Sequence, residues 1–450
     1  MGKRPDIVLI VVDSLRFDDF IKFARRTLSF IRKNGAFFTN AIANGPCTSP
    51  SMISMLTSEL PLEYGNYYAV SRERITLAEV LARYGYACTC IQTNDFLKSR
   101  LGWSRGFHLY EELLLSPSTI ASAVLNKIID TVYTKKGAEQ ILSPILSPIF
   151  MKVGKPTLRA KLVFKEALNI ITRMHGNKFL WIHLMDVHMP FIPETTFLKR
   201  ILGSVNCAKI LSLNVKWKYT PWKLDEDDKV FLRTLYRAEI MALDKRLYDF
   251  LEQLMTLLDS NSYIIITADH GEEFWDHGDR GHESKLYDEL LKVPLAIIGP
   301  DVPPGEIINE LVSLMDISPT IVSLAINRNV IPQKWGGVNI MDILRRGKPK
   351  RSYVLSEVSH ERPWKIDISY LKIAARSARW KVIYNAKGNV FEVYDLIADP
   401  SERENIFQSL PNNGELRTLF LAIKRRIARL RVKIRMKALR KIMRKRRSHF

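Results

Sequence analysis

The stretch Ile264–Pro294, IIITADHGEEFWDHGDRGHESKLYDELLKVP, decides the fold. An apolar run stops at Asp269-His270-Gly271, and two more histidines, His277 and His282, follow shortly after. The chain has nine histidines in 450 residues, so three in this one stretch is a concentration. A short, continuous apolar run bounded by a polar turn reads as a fully buried strand. Ending such a strand in an adjacent carboxylate and imidazole is a good way to hold a divalent metal at a sheet edge.

Working outward, the same pattern recurs. Ile7–Val12 is a buried strand stopped by Asp13, and Phe179–Leu184 runs into Met185-Asp186-Val187-His188. Helical periodicity falls between the strands, over Ile21–Lys33, Thr76–Tyr84, Leu158–Met174 and Phe231–Leu258. Further strands are expected at Ala87–Ile91 and Leu295–Ile298, with a helix around Pro319–Leu324. This alternation implies an α/β fold, a mainly parallel sheet flanked by helices. Ligand-bearing residues then belong just past the carboxyl ends of the strands, where Asp13, Asp186, His188, Asp269 and His270 all stand. Residues 109–153 are less regular, with prolines in ILSPILSPIF, and read as an insertion, either a lid or a packed helical excursion. Ala374–Leu396 has the pattern of antiparallel strands with a turn at Lys387-Gly388-Asn389. The expected organisation is a catalytic domain over 1–340, a small antiparallel subdomain over 341–410 and a helical tail over 411–450.

The net charge of +21 is local. Fifteen Lys or Arg lie between Arg417 and Arg447, nothing acidic follows Glu415, and without them the body carries +6. Leu416, Phe420, Ile423, Ile427, Leu430 and Ile434 recur at spacings of three and four, which makes the tail a basic amphipathic helix. Such a helix suits an anionic membrane surface through 416–448. Docking on the body or on a partner is the alternative, and nucleic acid fits less well because aromatic residues are nearly absent there. The four cysteines form no CxxC pair, and no window approaches the roughly 18 apolar residues of a membrane span. The six-residue run at Ile7–Val12 is too short for a signal-peptide core of about 7–15 residues. These features give the expectation of a cytoplasmic protein, peripheral at the membrane if the tail binds lipid.

One more segment carries chemistry. In Asn44–Leu60, NGPCTSPSMISMLTSEL, a Ser/Thr-rich turn containing Pro50 precedes a short apolar helix. A hydroxyl or thiol at such a helix start lies in the positive field of unpaired backbone N–H groups, which also suits the anionic oxygens of a phosphorus or sulfur centre.

Together these motifs resemble the sulfatase branch of the alkaline phosphatase superfamily. IVLIVVDSLRFDD looks like its first metal strand, TSPSMISMLTS like its nucleophile turn, and TLAEVLARYGYACTCI like its next helix and strand. LWIHLMDVHMPF, TADHGEEFWDHG with GHESKLYDELLKVPL, LMDISPT and the closing VYDLIADPSERENIF follow in the family's order, covering about residues 5–407. The resemblance implies an alkaline-phosphatase-like fold and a sulfuric or phosphoric ester hydrolase. It also implies a metal held by Asp13, Thr48, Asp269 and His270, with Thr48 as nucleophile. His188 and His282 match positions that contact the anionic group or protonate the leaving oxygen, and with Asp186 they could hold a second metal.

Two departures shape the reaction. The formylglycine sulfatases carry Cys-x-Pro-x-Arg; aligning Pro50 puts Thr48 at the cysteine and Met52 at the arginine, with Cys47 one residue early. Formylglycine is therefore not expected. The family's second tandem aspartate is replaced by Ser14. An imidazole-containing shell favours Zn²⁺ or Mn²⁺ over Ca²⁺. A metal-bound Thr48 hydroxyl attacking in line would form a threonine ester, which water displaces more readily from phosphorus than from sulfur. A phosphodiesterase or phosphotransferase acting on lipid or glycan headgroups, and a catalytically silent relative binding anionic surfaces, are the competing readings. Among the remaining residues, His183 inside its apolar strand is expected to satisfy a core hydrogen bond, and His277 to organise its loop.

Overall fold

The computed structural model describes residues 4–113, 117–133, 138–153, 155–326, 330–346, 351–361 and 365–447. The strands of the main sheet begin with β1 (Ile7–Val12), β2 (Gly35–Ile42), β3 (Tyr86–Gln92), β4 (Leu109–Glu112), β5 (Asn177–Leu184) and β6 (Tyr263–Ala268). A small hairpin, β7 (Glu273–Phe274) and β8 (Arg280–Gly281), interrupts them before β9 (Lys292–Ile298), β10 (Ile307–Ile308) and β11 (Val312–Ser313) return to the sheet. Its order is β10-β2-β9-β6-β1-β5-β3-β4, with β11 also pairing β2. β1 lies between β5 and β6, parallel to both, and every side chain of its IVLIVV run is buried. β-Branched residues buried on both faces are what a central parallel strand demands. Among the described residues only β9 runs against its neighbours, antiparallel to both β2 and β6.

Register positions the site. Val12 of β1 lies level with Leu184 of β5 and Ala268 of β6, so the next residues, Asp13, Met185 and Asp269, leave the sheet at one level. Long helices cover the faces, among them Ala160–Arg173 and Glu226–Leu257, the latter started by Asp225 accepting the Asp228 N–H. Thr76 and Glu79 form a reciprocal capping box on Leu77–Arg83. The helix expected over Ile21–Lys33 is two, Phe17–Phe23 and Arg25–Asn34, broken at Ala24.

Residues 109–153 are not all insertion. Leu109–Glu112 is the edge strand β4, parallel to β3. The rest is a helical hairpin, Pro117–Tyr133 and Ala138–Val153, that runs through Pro144 and Pro148. Leu125, Ile129, Leu146 and Phe150 pack with Ile192, Leu211 and Val215 in a satellite core, which makes it a packed excursion.

Beyond residue 350, β12 (Val354–Val358), β13 (His360–Glu361), β14 (Lys365–Ile366), β15 (Lys372–Arg376), β16 (Trp380–Asn385) and β17 (Val390–Asp395) follow. β12-β15-β16-β17 form a four-stranded antiparallel sheet. The last helix, Gly414–Arg447, docks on this sheet and on the Pro61–Tyr64 turn. Its buried face is Leu416, Leu419, Ile423, Arg426 and Leu430, rotated from the expected apolar seam. Arg426, only 4 % exposed, pairs with Glu357 and Glu63, each at 2.7 Å, and Lys433 and Arg429 also reach Glu63. The docking alternative thus holds for the first half of the tail. No described helix is long and apolar enough to cross a membrane.

Candidate active site

Asp13, Thr48, Asp269 and His270 converge. Thr48 begins the helix Thr48–Thr57, capped by the extended Cys47, and Ser51 Oγ ties that helix to the Asp269 carbonyl at 2.5 Å. Thr48 Oγ1 donates to Asp13 Oδ2 at 3.0 Å and lies 3.4 Å from His270 Nε2. His270 Nε2 is 3.5 Å from Asp13 Oδ1 and 3.6 Å from Asp269 Oδ2. Its other nitrogen faces the Gly271 carbonyl at 2.8 Å, which orients the ring. Gly271 is required where it stands, because a Cβ there would meet the Glu289 carbonyl oxygen at 2.0 Å.

Ser14, in the left-handed region at φ 59°, donates its hydroxyl to Asp13 Oδ1 and its N–H to Asp269 Oδ1. Asp269 Oδ1 also accepts the His270 N–H, while Oδ2 is buried without a hydrogen bond. Burial alone would raise the Asp13 carboxyl, but His188, His270, His183 and His282 outweigh it and hold it well below the usual carboxylate range.

His183 corrects the sequence expectation. It is fully buried at the end of β5, and neither ring nitrogen has a hydrogen-bond partner. Its Nε2 stands 3.5 Å from Asp269 Oδ2 and 3.9 Å from Asp13 Oδ2. Asp13, His183 and Asp269 offer ligand atoms all within 4.8 Å of one another. Unsatisfied carboxylate and imidazole atoms facing each other in a buried site are costly unless something fills the space between them, and this donor set fits a divalent cation.

The other expected residues divide. His282 packs against His270, ring centroids 4.5 Å apart, and against His188 at 5.2 Å. Glu272 Oε1 meets His282 Nδ1 at 3.1 Å. Burial works against a charged ring there, but Glu272, then Asp13 and Asp269, push His282 up to about 9. His188 goes the other way: burial lowers it despite Asp13, and its Nδ1 contacts the Met189 carbonyl at 2.7 Å. Asp186 is engaged elsewhere, with Oδ2 accepting the Ala160 N–H at 2.8 Å and Oδ1 on Arg246 at 3.0 Å. Those bonds secure the start of a helix, and both oxygens are used, so Asp186 is not available to a second metal in this arrangement. His277 sits between Glu289 and the Glu402 carbonyl, stacked on Tyr287. Cys47 is buried, and burial followed by Asp269, Glu283 and Asp13 raises its thiol well above the ordinary value.

Sequence reasoning missed His183, Glu272 and Asn94. Asn94, 2 % exposed just beyond β3, donates Nδ2 to Asp13 Oδ2 at 2.8 Å. Arg16 fixes the Glu272 loop to the end of β1 through the Glu272 carbonyl at 2.9 Å and Asp276 at 2.7 Å.

The family model described as Sulfatase matches residues 5–327, and that described as N-sulphoglucosamine sulphohydrolase, C-terminal, matches residues 278–433. Arylsulfatase K of Xenopus laevis is 24% identical over 414 residues, covering 85% of this chain and 74% of that protein. Delta 4,5-hexuronate-2-O-sulfatase of Bacteroides thetaiotaomicron is 30% identical over 156 residues, covering 32% of this chain and 30% of that protein. A solved structure in complex with its substrate D-glucosamine-2-N,6-O-disulfate superposes with a TM-score of 0.70 at 15% identity, over 95% of this chain and 98% of that one. Phosphonate monoester hydrolase from Silicibacter pomeroyi gives 0.67 at 17%, covering 96% of each chain. The cytoplasmic location expected from the sequence is overturned by this kinship with arylsulfatase K. The short apolar run behind that expectation is β1, and it reports where the sheet begins, not where the protein resides.

Proposed function

The chain belongs to the sulfatase family, and from that membership and the site's geometry we propose that it hydrolyses sulfate esters of sugars with Thr48 as nucleophile and a divalent metal as cofactor. It is an ester hydrolase of the sulfate or phosphate class. The observation that carries the threonine reading is Thr48 Oγ1 within 3.0 Å of Asp13 and 3.4 Å of His270, at the start of a helix. Cys47 lends no support to a modified cysteine: its thiol is buried and pushed up, and no arginine stands at position 52. The sugar part of the proposal rests on what the hexuronate sulfatase and the disulfated glucosamine complex act on or bind.

The metal would be held by Asp13, Asp269 and His183, with His270 and Thr48 beside them, and would supply positive charge against the anionic group. Two imidazoles, His183 and His270, beside two carboxylates favour Zn²⁺ or Mn²⁺ over Ca²⁺. The chain's own groups account for the proton movements. Thr48 Oγ1 directs its proton at Asp13 Oδ2 and attacks the sulfur or phosphorus atom as the bond to the leaving oxygen breaks. Protonated His282 gives its proton to that oxygen. Water then attacks the threonine ester, giving a proton to the now neutral His282 while Asp13 returns its proton to the departing Thr48 oxygen, so sulfate or phosphate leaves and all three side chains are restored. Neutral His188, ring to ring with His282, orients the acid.

A second reading, a phosphate or phosphonate monoesterase, is favoured by Thr48 itself, whose ester is displaced more easily from phosphorus than from sulfur. The test is turnover of 4-nitrophenyl sulfate, phosphate and bis-phosphate by wild type and Thr48→Ala with several divalent ions. Sulfate turnover lost in the variant supports the first reading, turnover of phosphate alone supports the second, and an unaffected variant removes both. For the tail, solvent-facing Arg417, Lys424, Arg425 and Arg431 support contact with an anionic surface. Truncation after Pro411 that leaves binding to anionic vesicles unchanged would remove that reading.

A further inference from the structure

Asn94 lies outside every motif that marks the family resemblance, yet its side chain reaches the reacting pair. Its Nδ2 stands 2.8 Å from Asp13 Oδ2, 3.4 Å from Thr48 Oγ1 and 3.2 Å from Met185 Sδ. The amide orientation is determined, because its Oδ1 accepts the Phe96 N–H at 2.8 Å, and a flipped amide would set donor against donor there and acceptor against carboxylate at Asp13. The backbone is held as well: Gln92 Oε1 accepts the Asn94 N–H at 2.6 Å, and Gln92 Nε2 donates to the Leu97 carbonyl. Both residues are buried, Gln92 completely, so the donor is fixed from below by the sheet.

Resting on the nucleophile reading of Thr48, we infer that Asn94 is a positioning residue whose Nδ2 holds Asp13 Oδ2 and Thr48 Oγ1 in attack geometry. Three points support it. Thr48 Oγ1 and Asn94 Nδ2 converge on the same carboxylate oxygen, so the amide sets which lone pair remains for the hydroxyl proton. The Nδ2 hydrogen aimed at Asp13 Oδ2 is shared with Thr48 Oγ1, 3.4 Å away, where negative charge develops as the hydroxyl gives up its proton. The donor is neutral, so it orients Asp13 without competing for a cation, which a lysine or arginine at that place would do.

The experiment compares wild type, Asn94→Ala, the isosteric Asn94→Asp and Thr48→Ala. It records kcat and KM on the best 4-nitrophenyl ester and the rise in melting temperature on adding Zn²⁺ or Mn²⁺. Loss of one oriented donor to developing charge costs on the order of 10²–10³ in kcat. The expected result is a kcat lower by at least about 30-fold in N94A and more in N94D, with KM within about threefold of wild type. The metal-induced rise should persist in N94D, whose added carboxylate attracts a cation. If N94A does not fold, N94D decides, since it has the same shape. Thr48→Ala inactive with both Asn94 variants near wild-type kcat overturns the role of Asn94 alone. Thr48→Ala still active overturns the nucleophile reading on which it rests.

Discussion

Replacing Glu272 by glutamine removes the carboxylate facing His282 at 3.1 Å while keeping an acceptor in its place. Glu272 is the foremost influence raising His282 from 6.5 to about 9 against burial. If the variant ring returned fully to 6.5, its protonated fraction at pH 8 would fall from about 0.9 to about 0.03, a loss of roughly 30-fold in active acid. At pH 6 both rings are largely protonated, and the difference shrinks to about 1.3-fold. Asp13 and Asp269 remain as influences, so these figures bound the effect from above. The assay is kcat/KM from pH 5.5 to about 9.5 on an ester with a poor leaving group, where protonation of the leaving oxygen matters most. The alkaline limb should shift to lower pH in E272Q, with the acid plateau nearly unchanged. The same alkaline limb in both proteins, or an equal loss at every pH, would refute His282 as the acid set by Glu272.

Thr48→Ala and Asp269→Ala should each cut turnover at least about 100-fold, read by steady-state kinetics. His183→Phe keeps a ring in the space but removes both nitrogens; titration calorimetry should then show affinity for Zn²⁺ or Mn²⁺ weakened by at least about 10-fold. Unaltered affinity would remove His183 from the metal shell. Arg426→Ala strands Glu357 in a buried setting and leaves Glu63 to Lys433 and Arg429, and should cost about 3 kcal/mol of stability by denaturant titration. Burial would raise Glu63, but Lys433 and Arg426 hold it down to about 2. Its contribution is therefore present above the ordinary value near 4.5 and lost as pH falls towards 2, and acid titration should release the helix in that window.

The centre of the sheet was legible because β1, β5 and β6 are largely apolar runs, and Asp13 and Asp269 because β1 and β6 each stop at an aspartate. Thr48 became identifiable only by family resemblance, since a Ser/Thr-rich helix start offers several hydroxyls, Thr48, Ser49 and Ser51 among them. His183 was misread for a physical reason: one imidazole inside an apolar strand looks the same whether it serves the core or a cation. The available signal was register, because His183 pairs with Val11 and so lies two residues below the level of Asp13. Asn94 had no signal beyond its place just past the carboxyl end of β3. The tail's periodicity was readable but its docked face was not, because the buried seam includes Arg426, whose partners Glu63 and Glu357 are distant in the chain. An ion pair buried by tertiary contact leaves no periodic trace in the sequence.

Chemical quench during turnover of a fast ester, followed by proteolysis and peptide mass spectrometry, reads the site of the covalent intermediate directly. A sulfate or phosphate ester on Thr48, absent from Thr48→Ala, is the expected result. An adduct on Ser49 or Ser51, or an oxidised Cys47 carrying the group, would contradict the assignment of the attacking oxygen.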